Sequence, residues 1–262
     1  MFRLRRMRAL GFAGSVLLAL GGSALSRQPI QALNNVPSGL ANAAALLGTF
    51  LMIIAWIAVC RRTFVASDPN VSGLVGLAVL WSVPFLFLPP IFSDDAWVYA
   101  ANSLIVANGD SPYLVTPGEL AGPISDLVHP NWREIPARYG PVHFLLSGAL
   151  GVFTESPHLL VVGHRLLALG GLVGLAWGLA RLAPLAGRRS ADAVALVVLS
   201  PLVLGVGVAS PHNDLVMTGL AFAGLGLASV GRHWTATLLL GAAVGIKPPV
   251  GLLVLVLACL WE

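Results

Sequence analysis

The chain has 262 residues, 57% of them hydrophobic and only 10% charged, a net charge of +4 and a mean hydropathy of +0.86. Several runs of about 18 or more residues carry few charges and are long enough to cross a ~30 Å hydrocarbon core as helices, which excludes a water-soluble domain. The basic excess sits at the ends of these runs, where it orients a membrane protein, so no nucleic-acid partner is expected.

The first eight residues, MFRLRRMR, form a basic head before an apolar run at about 9–25. That run is a first span or a signal peptide, since Ala24-Leu25-Ser26 resembles a small-x-small cleavage site. A second span, about 39–60, ends at Arg61-Arg62, and Cys60 beside it reads as a small hydrophobe. Cys259 reads the same way, because neither cysteine has CxxC or zinc-ligand spacing. A third span, about 71–90, contains Pro84 and stops at Pro89-Pro90. Strand-like alternation is absent, and a backbone in lipid must satisfy its own polar groups, so the spans are helices.

Basic residues at 3–8 and 61–62 belong in the cytoplasm by the positive-inside rule. The third span then exits on the far side, and residues 91–140 form an extracytoplasmic loop. That loop holds six of the eleven acidic residues: Asp94, Asp95, Asp110, Glu119, Asp126 and Glu134. A ~50-residue connection is far beyond ordinary loop lengths and points to function. Its Trp, Tyr and Pro content argues against disorder.

Residues 141–154 are apolar but short, and read as a re-entrant or surface-lying helix. Spans at about 159–182, 191–209, 214–230 and 235–260 follow. They return Arg181, Arg188, Arg189 and Arg232 to the basic side and bring Pro211-His212-Asn213-Asp214 to the side of the long loop. The expected fold is one all-α transmembrane domain over 1–262, a polytopic plasma-membrane protein of about seven helices. No internal repeat of the inverted-transporter kind is evident.

Five polar islands interrupt this pattern. Asp94-Asp95 is a solvated acid pair or helix N-cap on the plainest reading. At the membrane edge it can equally supply a general base or a ligand for a divalent cation. Asn108 to Tyr113, containing Asp110, is a Gly/Pro-framed turn by composition. His129, Trp132, Arg133 and Tyr139 offer a stacking surface and a cation suited to a sugar or a phosphate, although interfacial belts use Trp and Tyr too. His212-Asn213-Asp214 opens a span, where Asn or Asp can cap it. Lys247 falls inside the last span beside Pro248-Pro249; a charge there costs ~2.5–3.5 kcal/mol on insertion scales and is a functional candidate, with snorkelling as the alternative.

Taken together, these islands resemble one family. SDDAWVYAANSLIVANGDSPYLVTP resembles the first extracytoplasmic loop of polyprenyl-phosphate-mannose-dependent α-(1→6)-mannosyltransferases of actinobacteria, members of the GT-C superfamily. The shared pattern is Ser93-x-Asp95-x-x-x-Tyr99, then Gly109 with Pro112-Tyr113, then Trp132 before Tyr139-Gly140-Pro141. The span ending in His212-Asn213-Asp214 and the segment GIKPPVGL resemble later parts of the family. The turn departs from the commoner Gly-x-Asp-Pro-Tyr by an inserted Ser111, which displaces Asp110. Family members are longer, so the chain resembles their N-terminal part.

The resemblance implies a GT-C-like fold and transfer of mannose from a polyprenyl-phosphate donor to a mannan or phosphatidylinositol mannoside acceptor. Asp95 falls on the pattern's acid and is the expected base, with Asp94 a cap or second acid. Tyr99, Asp110, Tyr113, Trp132, Arg133, Tyr139, His212, Asn213, Asp214 and Lys247 are the expected substrate-binding residues. Two alternatives stand beside it: a non-enzymatic transporter or assembly subunit, and a GT-C relative that uses glucose or arabinofuranose. Charge concentrated in one long loop, rather than at broken helices of paired repeats, favours an enzyme.

Overall fold

A computed structural model describes residues 2–27, 31–66 and 70–252, with side chains from residue 5 onward. Among these the chain is all-helical. The helices are α1 (Phe2–Ala24), α2 (Ser38–Val65), α3 (Val71–Ser82), α4 (Asp95–Ala107), the one-turn α5 (Ile124–Leu127) and α6 (Pro130–Arg133), α7 (Pro141–Phe153), α8 (Pro157–Leu182), α9 (Ser190–Val198), α10 (Asn213–Ala228) and α11 (His233–Val244). They form two compact units, residues 1–93 with 179–210 and residues 94–178 with 211–262.

Three helical stretches, Arg5–Ala24, Ser38–Val65 and Pro157–Ala186, are long and apolar enough to cross a membrane. A fourth candidate is α9 followed by a π-helical turn, Val203–Ala209, bent by 61°. This is a membrane protein. Among the described residues three or four stretches pass by length and composition, against the seven spans expected over the whole chain. Shorter apolar helices stand where spans three, six and seven were expected, at Val71–Phe85, Asn213–Ala228 and His233–Val244.

Proline accounts for much of the shortening, because it removes a backbone donor and clashes with the preceding turn. Pro84 converts the end of α3 into a 3-10 turn, Pro201 lies in the break between α9 and the π turn, and Pro248-Pro249 follow the end of α11. The last part of the seventh expected span, with Cys259, lies outside the described residues.

In the first unit, α1 and α2 cross where neither has a side chain in the way. A Cβ at Gly48 would lie 2.4 Å from the Leu18 nitrogen, and one at Gly21 would lie 2.6 Å from the Ala41 carbonyl oxygen. Small residues permit such an approach, which in lipid replaces the missing hydrophobic drive. The Arg189 guanidinium donates to the carbonyls of Thr63, Phe64 and Ala66, at 2.7 Å for Ala66. The basic segments at Arg61-Arg62 and Arg188-Arg189 therefore meet at one end of α2. Cationic donors there also answer the orphan carbonyls and the negative end of the helix dipole.

In the second unit, α4 buries Ala96, Trp97, Ala100 and Ala101 against Ile124, Val128, Leu160 and Val161. The helices α8 and α10 cross at glycines: a Cβ on Gly219 would lie 2.1 Å from the Gly171 oxygen. These two packings set the positions of α4, α8 and α10, from which the candidate site is built.

Candidate active site

The polar islands converge in the second unit. Asp95 opens α4, and its Oδ2 lies 3.6 Å from His212 Nδ1, an opposite-charge contact when His212 is protonated. Asp94 occupies the N-cap position of α4 but makes no capping hydrogen bond with its side chain. His212 holds that position for α10, also without a side-chain cap bond. Capping therefore explains neither motif. In the first unit, Ser210 Oγ donates to the Ile91 carbonyl, tying together the segments that lead into Asp94 and into His212.

Tyr99 lies four residues after Asp95, one helical turn along the same face. Its ring is buried, edge-on to Tyr139 at 5.3 Å and to His143 at 5.0 Å. Burial holds the Tyr99 hydroxyl well above its ordinary pKa, with Tyr139 and then Asp95 adding to the rise. Tyr139 is pushed up to about 12, by burial first and by the Asp95 carboxylate next. Both phenols are therefore neutral hydrogen-bonding groups across the physiological range.

Lys247 follows the end of α11, where the proline pair cannot continue the helix. Its Nζ lies 2.6 Å from Asp214 Oδ2 and 5.7 Å from the Tyr139 ring centroid. The expected lysine thus faces the site and makes a charge-assisted bond, rather than merely reaching for an interface. Asn213, by contrast, is buried, and its Nδ2 donates to His143 Nδ1 at 3.3 Å.

Not every expected residue joins this group. Asp110 is exposed in the turn after α4, where Gly109 takes φ +85°. Only glycine adopts that backbone without strain, so the turn reading of this stretch stands. Arg133 turns to Asp126, at 3.9 Å from its carboxylate, and to the carbonyls of Asp126 and Val128. Tyr113 packs on Phe144 and donates its hydroxyl to the Tyr139 carbonyl at 3.0 Å, so it braces the site from outside. Trp132 is half-exposed and lines a cavity of about 240 Å³ with Asp95, Arg138 and Tyr139.

Three residues of the group were not anticipated. His143 stacks against His164 with ring centroids 6.1 Å apart, and both pack on Tyr99. Ser103 Oγ donates to the Tyr99 carbonyl at 2.9 Å and lies 3.1 Å from His164 Nε2. The Ser103 hydroxyl thus links the Tyr99 carbonyl to the His164 ring. On α7, outside the candidate spans, burial pushes His143 down to about 3, with His164 and Lys247 adding to the fall. A histidine four residues past Tyr139 on a Pro-initiated helix was a readable signal. His164-Arg165 inside an apolar run was another.

The arrangement offers a carboxylate at a helix start, two neutral phenols, and a lysine held by an acid near the Tyr139 ring. That set can take a proton from a hydroxyl and hold an anion. Among the described residues, no three His, Cys, Asp or Glu side chains come together in a set that could hold a metal ion.

Residues 8–262 match the family model described as alpha-(1->6)-mannopyranosyltransferase, N-terminal domain. The alpha-(1->6)-mannopyranosyltransferase A of Mycobacterium tuberculosis is 32% identical over 266 residues, covering 96% of this chain and 51% of the relative. A probable alpha-(1->6)-mannopyranosyltransferase of Mycolicibacterium smegmatis is 33% identical over 235 residues, 84% of this chain and 42% of its own length. The alpha-(1->6)-mannopyranosyltransferase A of Corynebacterium glutamicum is 30% identical over 247 residues, with 91% and 49% covered. The chain spans about half the length of the curated relatives it matches. No solved structure matches it.

Proposed function

The chain belongs to the alpha-(1->6)-mannopyranosyltransferase family, and from that premise we propose that it carries the acceptor-activating part of a mannosyltransferase. The donor is a mannosyl phosphate on a polyprenol, and the acceptor is a mannan or phosphatidylinositol mannoside chain. The observation that carries this reading is the joint placement of Asp95 and Lys247 around Tyr139.

In the reaction, Asp95 takes the proton of the acceptor hydroxyl as its oxygen bonds to the anomeric carbon of mannose. The bond from that carbon to the phosphate oxygen breaks, and the electron pair leaves with polyprenyl phosphate. Lys247 stabilises the leaving anion, directed by Asp214. His212 beside Asp95 provides a cation when protonated. Direct displacement inverts a β-linked donor to an α product.

The loop of residues 91–140 faces the outside of the plasma membrane on this reading. The meeting of the basic segments at Arg61-Arg62 and Arg188-Arg189 supports this, since both belong on the cytoplasmic side. A cysteine placed at Glu119 should react with an impermeant maleimide in intact cells; labelling only after lysis would overturn the orientation.

The test of function is transfer by membranes containing the protein as the cell makes it. Labelled polyprenyl-phosphate mannose should pass its sugar to a mannan acceptor, and the glucose and arabinofuranose analogues should not. Transfer of another sugar would establish the GT-C relative, and no transfer of any would favour the transporter or assembly subunit.

A further inference from the structure

The cavity beside Asp95 differs in chemistry from the surroundings of Lys247, which pairs with Asp214. Its wall sets one carboxylate, Asp95, against one guanidinium, Arg138, so its formal charge balances. The rest is aromatic or apolar, with Trp132 and Tyr139 joined by residues such as Val98 and Ile135. Lys247 is absent from the lining. An anionic phosphate gains nothing from a wall that also presents a carboxylate, whereas a neutral sugar gains from both signs. A pyranose has an apolar C–H face for Trp132 and a rim of hydroxyls that can accept from Arg138 and donate to Asp95.

Size narrows the ligand further. At about 240 Å³ the cavity lies below the ~300–1,000 Å³ of pockets for drug-sized ligands, and suits one ring rather than a chain. The wall is also preorganised. Ala137 N–H donates to the Pro112 carbonyl at 2.9 Å, Gly140 N–H to Ile246 at 2.9 Å and Val142 N–H to Gly245 at 2.8 Å. A Cβ on Gly140 would sit 2.3 Å from the Gly245 oxygen, so only glycine allows the strap carrying Arg138 and Tyr139 to lie this close. Arg133, the cation expected here, is committed to Asp126 and Val128 instead.

We propose that this cavity binds the terminal sugar ring of the acceptor, with Trp132 stacking on it and Arg138 holding its hydroxyls so that one points at Asp95. Tyr139 borders this ring, and Lys247, 5.7 Å from the Tyr139 ring centroid, is left for the donor phosphate. The inference rests on the mannosyltransferase reading. It adds that the acceptor is read one ring deep, so a single mannoside carries most of the recognition.

Saturation-transfer NMR on the purified protein in nanodiscs, with methyl α-mannopyranoside and α-(1→6)-mannobiose as probes, tests this without requiring turnover. Both probes should bind, with affinities within a few-fold of each other. Trp132→Ala and Arg138→Gln should each weaken both by about tenfold or more. In the transfer assay the two variants should raise the acceptor KM and leave the donor KM alone. Arg138 is exposed, so its substitution does not endanger the fold.

Wild-type binding by both variants would overturn the assignment while leaving mannosyl transfer intact. So would a failure of the wild-type protein to bind either probe, or an affinity that climbs steeply from one ring to two. The mannosyltransferase reading itself fails only if labelled mannose is not transferred.

Discussion

The two units of this protein are both helical, yet they bury different chemistry. In the first, the Trp81 indole donates across to the Arg8 carbonyl on α1, and the other buried polar side chains among the described residues are hydroxyls: Ser15, Ser23, Thr63, Ser82 and Ser210. Ser15, Thr63 and Ser82 donate back to a carbonyl three or four residues earlier in their own helix. Such bonds satisfy the hydroxyl and specify nothing about a neighbour. The second unit buries Asn102, Ser103, His143, His164, Arg165 and Asn213. Ser103 with His164, and Asn213 with His143, bond between helices. A polar group satisfied within its own helix leaves helices able to pack by shape alone, as α1 and α2 do. One satisfied across helices fixes their mutual register, and that is what a reacting constellation needs.

The sharpest way to break this comparison is chemical. In the protein as the cell makes it, Asp95→Asn keeps the shape and removes the base, so transfer should fall by about 10²–10⁴-fold. Asp94→Asn should cost less. If the two rank in reverse, the wrong carboxylate has been assigned.

Next in size are the helix crossings. Gly219→Ala forces a methyl group into the Gly171 backbone and should lower stability by about 1–3 kcal/mol in a thermal assay. Gly76→Ala on α3 of the first unit meets nothing within 4 Å. It should be neutral, or stabilising by up to about 1 kcal/mol through helix propensity.

The hydroxyls give the closest paired comparison. Ser103→Ala leaves the buried His164 Nε2 without its partner and should cost about 1–3 kcal/mol, whereas Ser82→Ala should cost less than about 1 kcal/mol. Adding His164→Phe to Ser103→Ala should recover part of the loss, because an unmatched partner costs more than an absent pair. Equal costs for the two serines would erase the distinction between the units.

A further effect lies at alkaline pH. The native state holds the Tyr139 proton more tightly than the unfolded chain, with a pKa of about 12 against the usual 10. The resulting stability is complete below about pH 10 and drains away as pH rises toward 12. Tyr139→Phe should flatten that part of an alkaline unfolding curve and leave the neutral range unchanged.

Much of this was readable from sequence where polarity stood out against hydropathy. Asp94-Asp95, His212-Asn213-Asp214 and Lys247 interrupt apolar runs, and Asp95, His212, Asp214 and Lys247 do come together around Tyr139. The span count was less legible, because hydropathy tracks composition and ignores where a proline ends a helix. Trp132 and Arg133 are adjacent in sequence, but α6 is a single turn that sends one to the cavity and the other to Asp126. His143 and His164 were missed because a histidine among leucines and glycines reads as core until its partner, 21 residues away, is known. Arg138 was missed for a different reason: exposed loop cations are common, and only the backbone ties of the 137–142 strap give this one a fixed place.

The glycine crossing of α8 and α10 has a mechanical consequence. From Gly219 to Asn213 is six residues, about 9 Å along the helix at ~1.5 Å per residue. The crossing is a fulcrum and the first turn of α10 its short arm, carrying Asn213 and Asp214. A tilt of about 10° at the fulcrum would swing Asn213 by about 1.6 Å. That exceeds the ~1 Å misplacement that can cost a catalyst ~10²-fold. On the proposed reading of Lys247, two missing side chains in the apolar interior thereby bear on how closely Asp214 holds it in place.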